Sequence, residues 1–268
     1  MTRKEQYKEQ IDGVSIELLQ HTEPDERFYE HKPTGKWVAS VTTKLDVLPK
    51  DPFLDIWKDK NGVASVNQVL DEAAKTGTAI HNLIDDLCKE YQETGQASLM
   101  WFDDNGYKKF NSVIWSAVMK FVDFFNNYVD GILLSEQRMF SDVLDVAGTV
   151  DGVFMLKDGR VAIVDYKYTS VLSEKFSVQT YCYKQMVEET YNMKVDVRGN
   201  LWLRSQKRGA DKTGKKIQGN GWEFVEHIED ERDALIYDCA NKIFMDKYRN
   251  KEIIPEHRTY PTILTIGN

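Results

Sequence analysis

The sequence predicts an α/β fold, a mixed β-sheet flanked by helices and preceded by a helical amino-terminal part. Three patterns carry that expectation. Apolar residues recur at three- and four-residue spacing over about 66–91 and again over 106–130, the period of helices with one buried face. Valine- and isoleucine-rich runs at about 135–140, 146–156 and 161–168 read as strands. A helical stretch at about 173–191 then stands between these and further strands at about 197–204 and 222–228, so a helix packs between strands of one α/β sandwich.

Taken in order, the first thirty-odd residues are polar and show no strong period. Trp37-Val-Ala-Ser-Val-Thr-Thr43 suits a short strand or turn before a helix capped by Thr42 or Thr43. Asp51-Pro52 opens the next helix, because proline fits a first helical turn, and Gly62 ends it. In the long helix Ile80, Leu83, Ile84, Leu87, Cys88 and Tyr91 share a face, and Gly95 closes it. The helix from Gly106 to Asp130 carries Trp115, Val118, Phe121, Val122 and Phe125 and is too apolar for a surface position, so it belongs in the core. A last helix at about 230–249 precedes an Ile253-Ile254-Pro255 exit. Without a repeat, low-complexity segment or linker, residues 1–268 are expected to form one unit, helical over about 1–130 and sheet-based over about 131–268.

At 268 residues, 41% hydrophobic and 12% aromatic, the chain can bury a substantial core. No apolar run is long enough to cross a bilayer, and Met-Thr-Arg-Lys-Glu-Gln lacks the apolar stretch of a signal peptide, so a cytoplasmic location with no membrane partner is expected. Cys88, Cys182 and Cys239 are scattered, each inside an expected helix, and read as core residues, with neither zinc nor iron–sulfur implied. A net charge of −8 argues against coating nucleic acid through a general positive field. Between 198 and 216, however, Arg198, Arg204, Lys207, Arg208, Lys212, Lys215 and Lys216 face a single acid, Asp211. That stretch suits either a phosphate-contacting patch or a solvated hairpin tip.

The chemistry concentrates at residues 147–167. By the strand period of two, Val161, Ile163, Asp165 and Lys167 share one face, and Ala162, Val164 and Tyr166 the other. Asp151 joins Asp165 across the hairpin only if the two pair, which requires a three-residue loop, Lys157-Asp158-Gly159, with Gly159 left-handed. A two-residue Asp158-Gly159 turn would pair Asp151 with Tyr166 and turn it to the wrong face. The sequence permits both, and the first is the expected turn: two acids then converge beside a lysine, and carboxylates so placed repel unless a hard cation such as Mg²⁺ or Mn²⁺ lies between them.

Thr149-Val-Asp151, Asp165-Tyr-Lys167, Gln179-Thr-Tyr-Cys-Tyr183 on the following helix and the upstream Gly77-Thr-Ala-Ile-His81 together resemble the PD-(D/E)XK nuclease superfamily, in its RecB-like exonuclease branch. The motifs span about residues 75 to 205; Val150 stands where the superfamily's name has proline. The resemblance implies a restriction-endonuclease-like core in which Asp151, Asp165 and the Tyr166 carbonyl coordinate a divalent cation, with His81 as a further ligand that would favour Mn²⁺. It implies that Gln179 bonds near the metal-bound water or Lys167, and that Tyr183 orders the site or contacts DNA. Lys167 would orient the attacking water and stabilise charge on the transition state. Glu136 is a further candidate acid.

The expected function is a metal-dependent exonuclease that degrades DNA from an end in recombination or repair, of the free-standing phage or mitochondrial type. No phosphate-binding Gly-x-x-x-x-Gly-Lys loop marks a helicase motor, and the cysteines of an iron–sulfur clamp are missing. Single- or double-stranded DNA with an end is the expected substrate, and a recombination or single-strand-binding protein a candidate partner. Trp37, Trp57 and Trp101 are available to stack on single-stranded bases or to fill the core. The alternatives are an endonuclease of the same fold and a catalytically silent module that binds DNA ends or protein.

Overall fold

A computed structural model describes residues 2–22, 26–49, 52–204, 208–210, 216–218 and 221–247, without side chains for 52–55, 208–210 and 216–218. The amino-terminal part runs α1 (Arg3–Ile11), β1 (Leu18–Thr22), β2 (Arg27–His31), β3 (Lys36–Ala39), α2 (Val41–Leu45), α3 (Pro52–Asn61), α4 (Val63–Thr94) and α5 (Ser112–Tyr128). It continues through β4 (Val129–Ser141), β5 (Val146–Leu156), β6 (Val161–Lys167), α6 (Lys175–Tyr191), β7 (Val197–Trp202), β8 (Arg208–Ala210), β9 (Lys216–Gln218), β10 (Glu223–His227) and α7 (Asp230–Asp246). Five strands form a mixed sheet in the order β10-β7-β6-β5-β4, parallel only between β6 and β7, which α6 connects. Strands β1, β2 and β3 form a separate antiparallel sheet.

The central hairpin has the register that brings the two acids together. Met155 pairs with Val161 and Gly152 with Val164, and the same register carried one step on sets Asp151 opposite Asp165. Leu156 N–H donates to the Arg160 carbonyl at 2.8 Å, enclosing the three residues 157–159, and Gly159 has φ +86°. A glycine meets that left-handed position without a Cβ penalty.

Both faces of the sheet are covered, which is why its central strands are apolar throughout rather than alternating. Val153, Met155, Val161 and Ile163 pack with Val178, Cys182, Met186 and Val187 of α6. On the other face Phe154, Ala162, Val164 and Tyr166 pack with Ile80, Ile84 and Cys88 of α4 and Val118 and Phe121 of α5. Glycines make room for large rings: an ideal Cβ at Gly152 would lie 2.6 Å from the Phe154 ring and 2.8 Å from the Tyr166 hydroxyl, and one at Gly148 would lie 2.9 Å from the Tyr183 ring.

Several expectations need correction. The amino-terminal part is not simply helical, because residues 18–39 form the three-stranded sheet. Ser40 caps α2 rather than Thr42 or Thr43, its hydroxyl accepting the Thr43 N–H at 3.0 Å. Helix α5 begins at Ser112 instead of Gly106, because Asn111 accepts the Ile114 N–H and Asp103 holds a turn by accepting N–H groups of Asn105 and Tyr107. Side-chain oxygens that satisfy turn and first-turn donors fix these boundaries, and apolar spacing does not report them. Gly62 and Gly95 do end their helices, Gly95 with φ +78°. Cys88 and Cys182 are buried, but Cys239 is exposed. The residues 253–255 lie outside the described residues. Among the described residues no helix is long and apolar enough to cross a membrane.

Candidate metal centre and active site

A cavity of about 560 Å³ opens where the central sheet, α4, α6 and the amino-terminal sheet meet, and His81, Glu136, Asp151, Asp165, Lys167, Gln179 and Tyr183 all line it. The hairpin register delivers Asp151, Asp165 and Lys167 to the α6 side of the sheet, and α6 presents Gln179 and Tyr183 one turn apart toward them. Lys167 Nζ lies 2.7 Å from Asp165 Oδ2 and donates to Gln179 Oε1 at 3.1 Å. Gln179 Nε2 in turn donates to the Tyr183 hydroxyl at 2.7 Å. Gly148 lies under the Tyr183 ring, where any side chain would displace it.

His81 reaches the same centre from α4, whose neighbours Ile80 and Ile84 pack on the opposite face of the sheet. Its Nε2 donates to the Tyr166 carbonyl at 3.1 Å, and its Nδ1 lies 3.4 Å from Glu136 Oε1 and 3.6 Å from Asp151 Oδ2. Burial opposes a charge on the ring, but Asp151 and Glu136 overcome it and push the imidazole pKa up to about 9. At neutral pH both ring nitrogens therefore carry protons and donate to groups that could bind a cation.

Burial raises the pKa of both aspartates; the Glu136 charge raises Asp151 further, and the Asp151 charge raises Asp165. Asp165 is pushed up to about 6 even though Lys167 pulls it down. Asp151 Oδ2 accepts the Tyr166 N–H at 2.7 Å. Asp165 Oδ2 accepts from Asn200 Nδ2 at 2.7 Å, whereas its Oδ1 is buried without a hydrogen-bond partner. An orphaned carboxylate oxygen in the interior is costly unless a ligand completes it. Donor atoms of His81, Glu136 and Asp151 lie within 4.8 Å of one another, and Asp165 lines the same cavity without joining that group. Carboxylate and carbonyl oxygens with one imidazole suit a hard divalent cation such as Mg²⁺ or Mn²⁺.

Glu136 has φ +43°, which a non-glycine residue adopts only at a cost. It sits between Ser135, paired with Gly152, and Gln137, paired with Val150, so it lies across from Asp151. Asn200 and His227, which the sequence reading missed, lie behind Asp165: His227 Nε2 donates to Asn200 Oδ1 at 2.7 Å. Asn200 is fully buried within Val197–Trp202, which the sequence of that strand does not report.

The basic stretch divides. Arg198 is not on a surface patch; it is buried and bonds Asp233 at 2.6 Å and Asp230 at 2.7 Å. Arg204 is exposed, 5.8 Å over the Tyr168 ring. Arg208 and Lys216 belong to the β8–β9 hairpin, and Lys207, Lys212 and Lys215 lie outside the described residues. Among the three tryptophans, Trp37 packs on Phe28 and Phe244, Trp101 stacks on Trp115 at 5.4 Å, and Trp57 is exposed.

No protein-family model matches the chain, and no curated protein matches it in sequence. Among solved structures it is similar to a crystal structure from Eubacterium rectale of a protein provisionally assigned as an exonuclease. The identity is 11%, over 72% of this chain and 77% of that one, with a TM-score of 0.35. A likeness of that size fixes neither the fold family nor the activity.

Proposed function

We propose that this chain is a divalent-metal-dependent deoxyribonuclease of the RecB-like kind, hydrolysing phosphodiester bonds from DNA ends, with residues 1–268 acting as one nuclease unit. What supports it most is the grouping of His81, Glu136 and Asp151 donor atoms within 4.8 Å of one another, in the cavity that Asp165, with its unpartnered Oδ1, and Lys167 also line. Asp151, Asp165, the Tyr166 carbonyl and His81 would hold Mg²⁺ or Mn²⁺, with Glu136 beside them. When bound, such a cation lowers the pKa of water and neutralises charge on a phosphate.

The chain's own residues do the rest. Lys167, held between Asp165 and Gln179, presents its ammonium to the cavity, where it orients the nucleophilic water and stabilises the charge that develops on the phosphorus oxygens. Gln179 fixes the lysine, and Tyr183 fixes Gln179 through its hydroxyl, so the amide cannot turn. Arg204, Lys207, Arg208, Lys212, Lys215 and Lys216 supply the DNA-contacting charge in this reading, and a recombination or single-strand-binding protein is its candidate partner.

The test is degradation of end-labelled linear DNA beside a closed circle, with Mn²⁺, Mg²⁺ or EDTA, for wild type and Lys167→Ala. Loss of the linear DNA alone, only with metal and slowed by roughly 10²–10³ in the variant, supports the proposal. Cutting of the circle replaces it with an endonuclease, and folded protein inert on both replaces it with a binding module.

A further inference from the structure

We infer that Asn200 and His227 are positioning residues that hold the Asp165 carboxylate in its cation-binding orientation, an inference that rests on Asp165 being a metal ligand. In the parallel β6–β7 pair Asp165 stands beside Asn200, and in the β7–β10 pair Asn200 stands beside Val225, two residues from His227. Residues in register across a sheet, and residues two apart along a strand, project from the same face. The three side chains therefore form a row across three strands, on the face that α6 covers. His227 Nε2 donates to Asn200 Oδ1 at 2.7 Å, and Asn200 Nδ2 donates to Asp165 Oδ2 at 2.7 Å.

Each link fixes the direction of the next. An Asp165 carboxylate oxygen can only accept, so the Asn200 amide must turn its NH₂ toward it and its oxygen away. That oxygen can only accept, so His227 must carry a proton on Nε2. Burial and the nearby Arg198 hold the His227 pKa below its ordinary value, so the ring is neutral at neutral pH with that single proton on Nε2.

The consequence lies at Asp165. Its Oδ2 is engaged by two donors, the Asn200 amide and the Lys167 ammonium, so rotation of the carboxylate is arrested. Oδ1 is left as the atom without a partner. Without Asn200 the carboxylate would be free to turn about the single Lys167 contact, and a cation would have to order it on binding. Partners that orient metal ligands in this way are worth about 10–100-fold in affinity.

The experiment is a Mn²⁺ titration followed by electron paramagnetic resonance, on wild type, Asp165→Asn, Asn200→Ala, His227→Ala and His227→Gln, each checked for native circular dichroism. The expected result is Mn²⁺ binding about 10–100-fold weaker in Asn200→Ala. A smaller loss of roughly threefold or more is expected in His227→Ala, with recovery in His227→Gln, whose amide can donate in place of the imidazole. A merely structural role would not be rescued at the level of metal affinity. If Asn200→Ala does not fold, the two His227 variants decide, because His227 is only half-buried at the sheet edge. Wild-type affinity in Asn200→Ala or in His227→Ala, with binding lost in Asp165→Asn, overturns the relay and leaves the metal site standing. Undiminished binding in Asp165→Asn overturns the site itself, and the relay with it.

Discussion

His81 should couple metal binding to pH. In the metal-free site its pKa is about 9, so at pH 7 the imidazolium outnumbers the imidazole by about a hundredfold. A cation that takes the imidazole as a ligand must release that proton, and two pH units cost about 2.7 kcal/mol. Mn²⁺ affinity is therefore expected to rise about tenfold per pH unit from 7 to 9 and to level off above 9. Below about pH 6 protonation of Asp165 adds a second proton to the exchange, and the dependence steepens. Calorimetric titration in two buffers of different ionisation enthalpy counts the protons directly, with about one released at pH 7.5 in wild type. His81→Ala should remove the dependence between 7 and 9 and keep the one near 6. Affinity that stays constant from pH 7 to 9, with heats independent of buffer, would refute the claim that the proton on His81 competes with the cation.

Three further outcomes follow from the same structure. The His81 pKa of about 9 lies above the ordinary 6.5, so its stabilisation is whole below pH 6.5 and is lost as pH rises through about 9. The metal-free protein should lose about 3 kcal/mol over that window, and an unchanged melting temperature between pH 6.5 and 9.5 would reject this. Gly152→Ala should cost about 1–3 kcal/mol in urea denaturation, because its Cβ would meet the Phe154 ring and the Tyr166 hydroxyl in a packed layer. Arg198→Met should cost about 3–5 kcal/mol by the same assay, since it takes the hydrogen-bonded cation from buried Asp233 and leaves only Arg232, at 3.8 Å; a loss under 1 kcal/mol would contradict the pairing.

The sheet core was legible in the sequence because period and turn chemistry agree there. Of the two turns the sequence allows, the three-residue loop ending in left-handed Gly159 forms, and its register is the one that brings Asp151, Asp165 and Lys167 to one face. Gln179 and Tyr183 were legible as a one-turn pair on α6. Glu136 was legible only as a candidate acid, because β4 shifts register twice against β5 and the residue itself is left-handed, so alternation does not report where its side chain goes. Asn200 and His227 act through pairings between strands far apart in sequence, which no local period encodes. The amino-terminal sheet was hidden for another reason. Its short strands mix polar and apolar residues, and only Phe28, Tyr29, Val38 and Ala39 are deeply buried along the last two.

Charge counting explains why so many ionisable groups can share one cavity. Of the charged residues that line it, which also include Arg27, Asp85, Lys89 and Arg138, the proposed cation group itself sets three acids, Asp151, Asp165 and Glu136, against the Lys167 ammonium and the His81 imidazolium. One negative charge of that group is then unmatched, and burial, with the Asp151 charge behind it, pushes the Asp165 pKa up to about 6. Exchanging the His81 proton for a divalent cation replaces one positive charge by two and brings the sum to zero. A monovalent cation taken up in the same exchange would leave the deficit where it was. In the proposed metal site the protonated histidine would therefore stand in for the cation, holding the acids together until it binds.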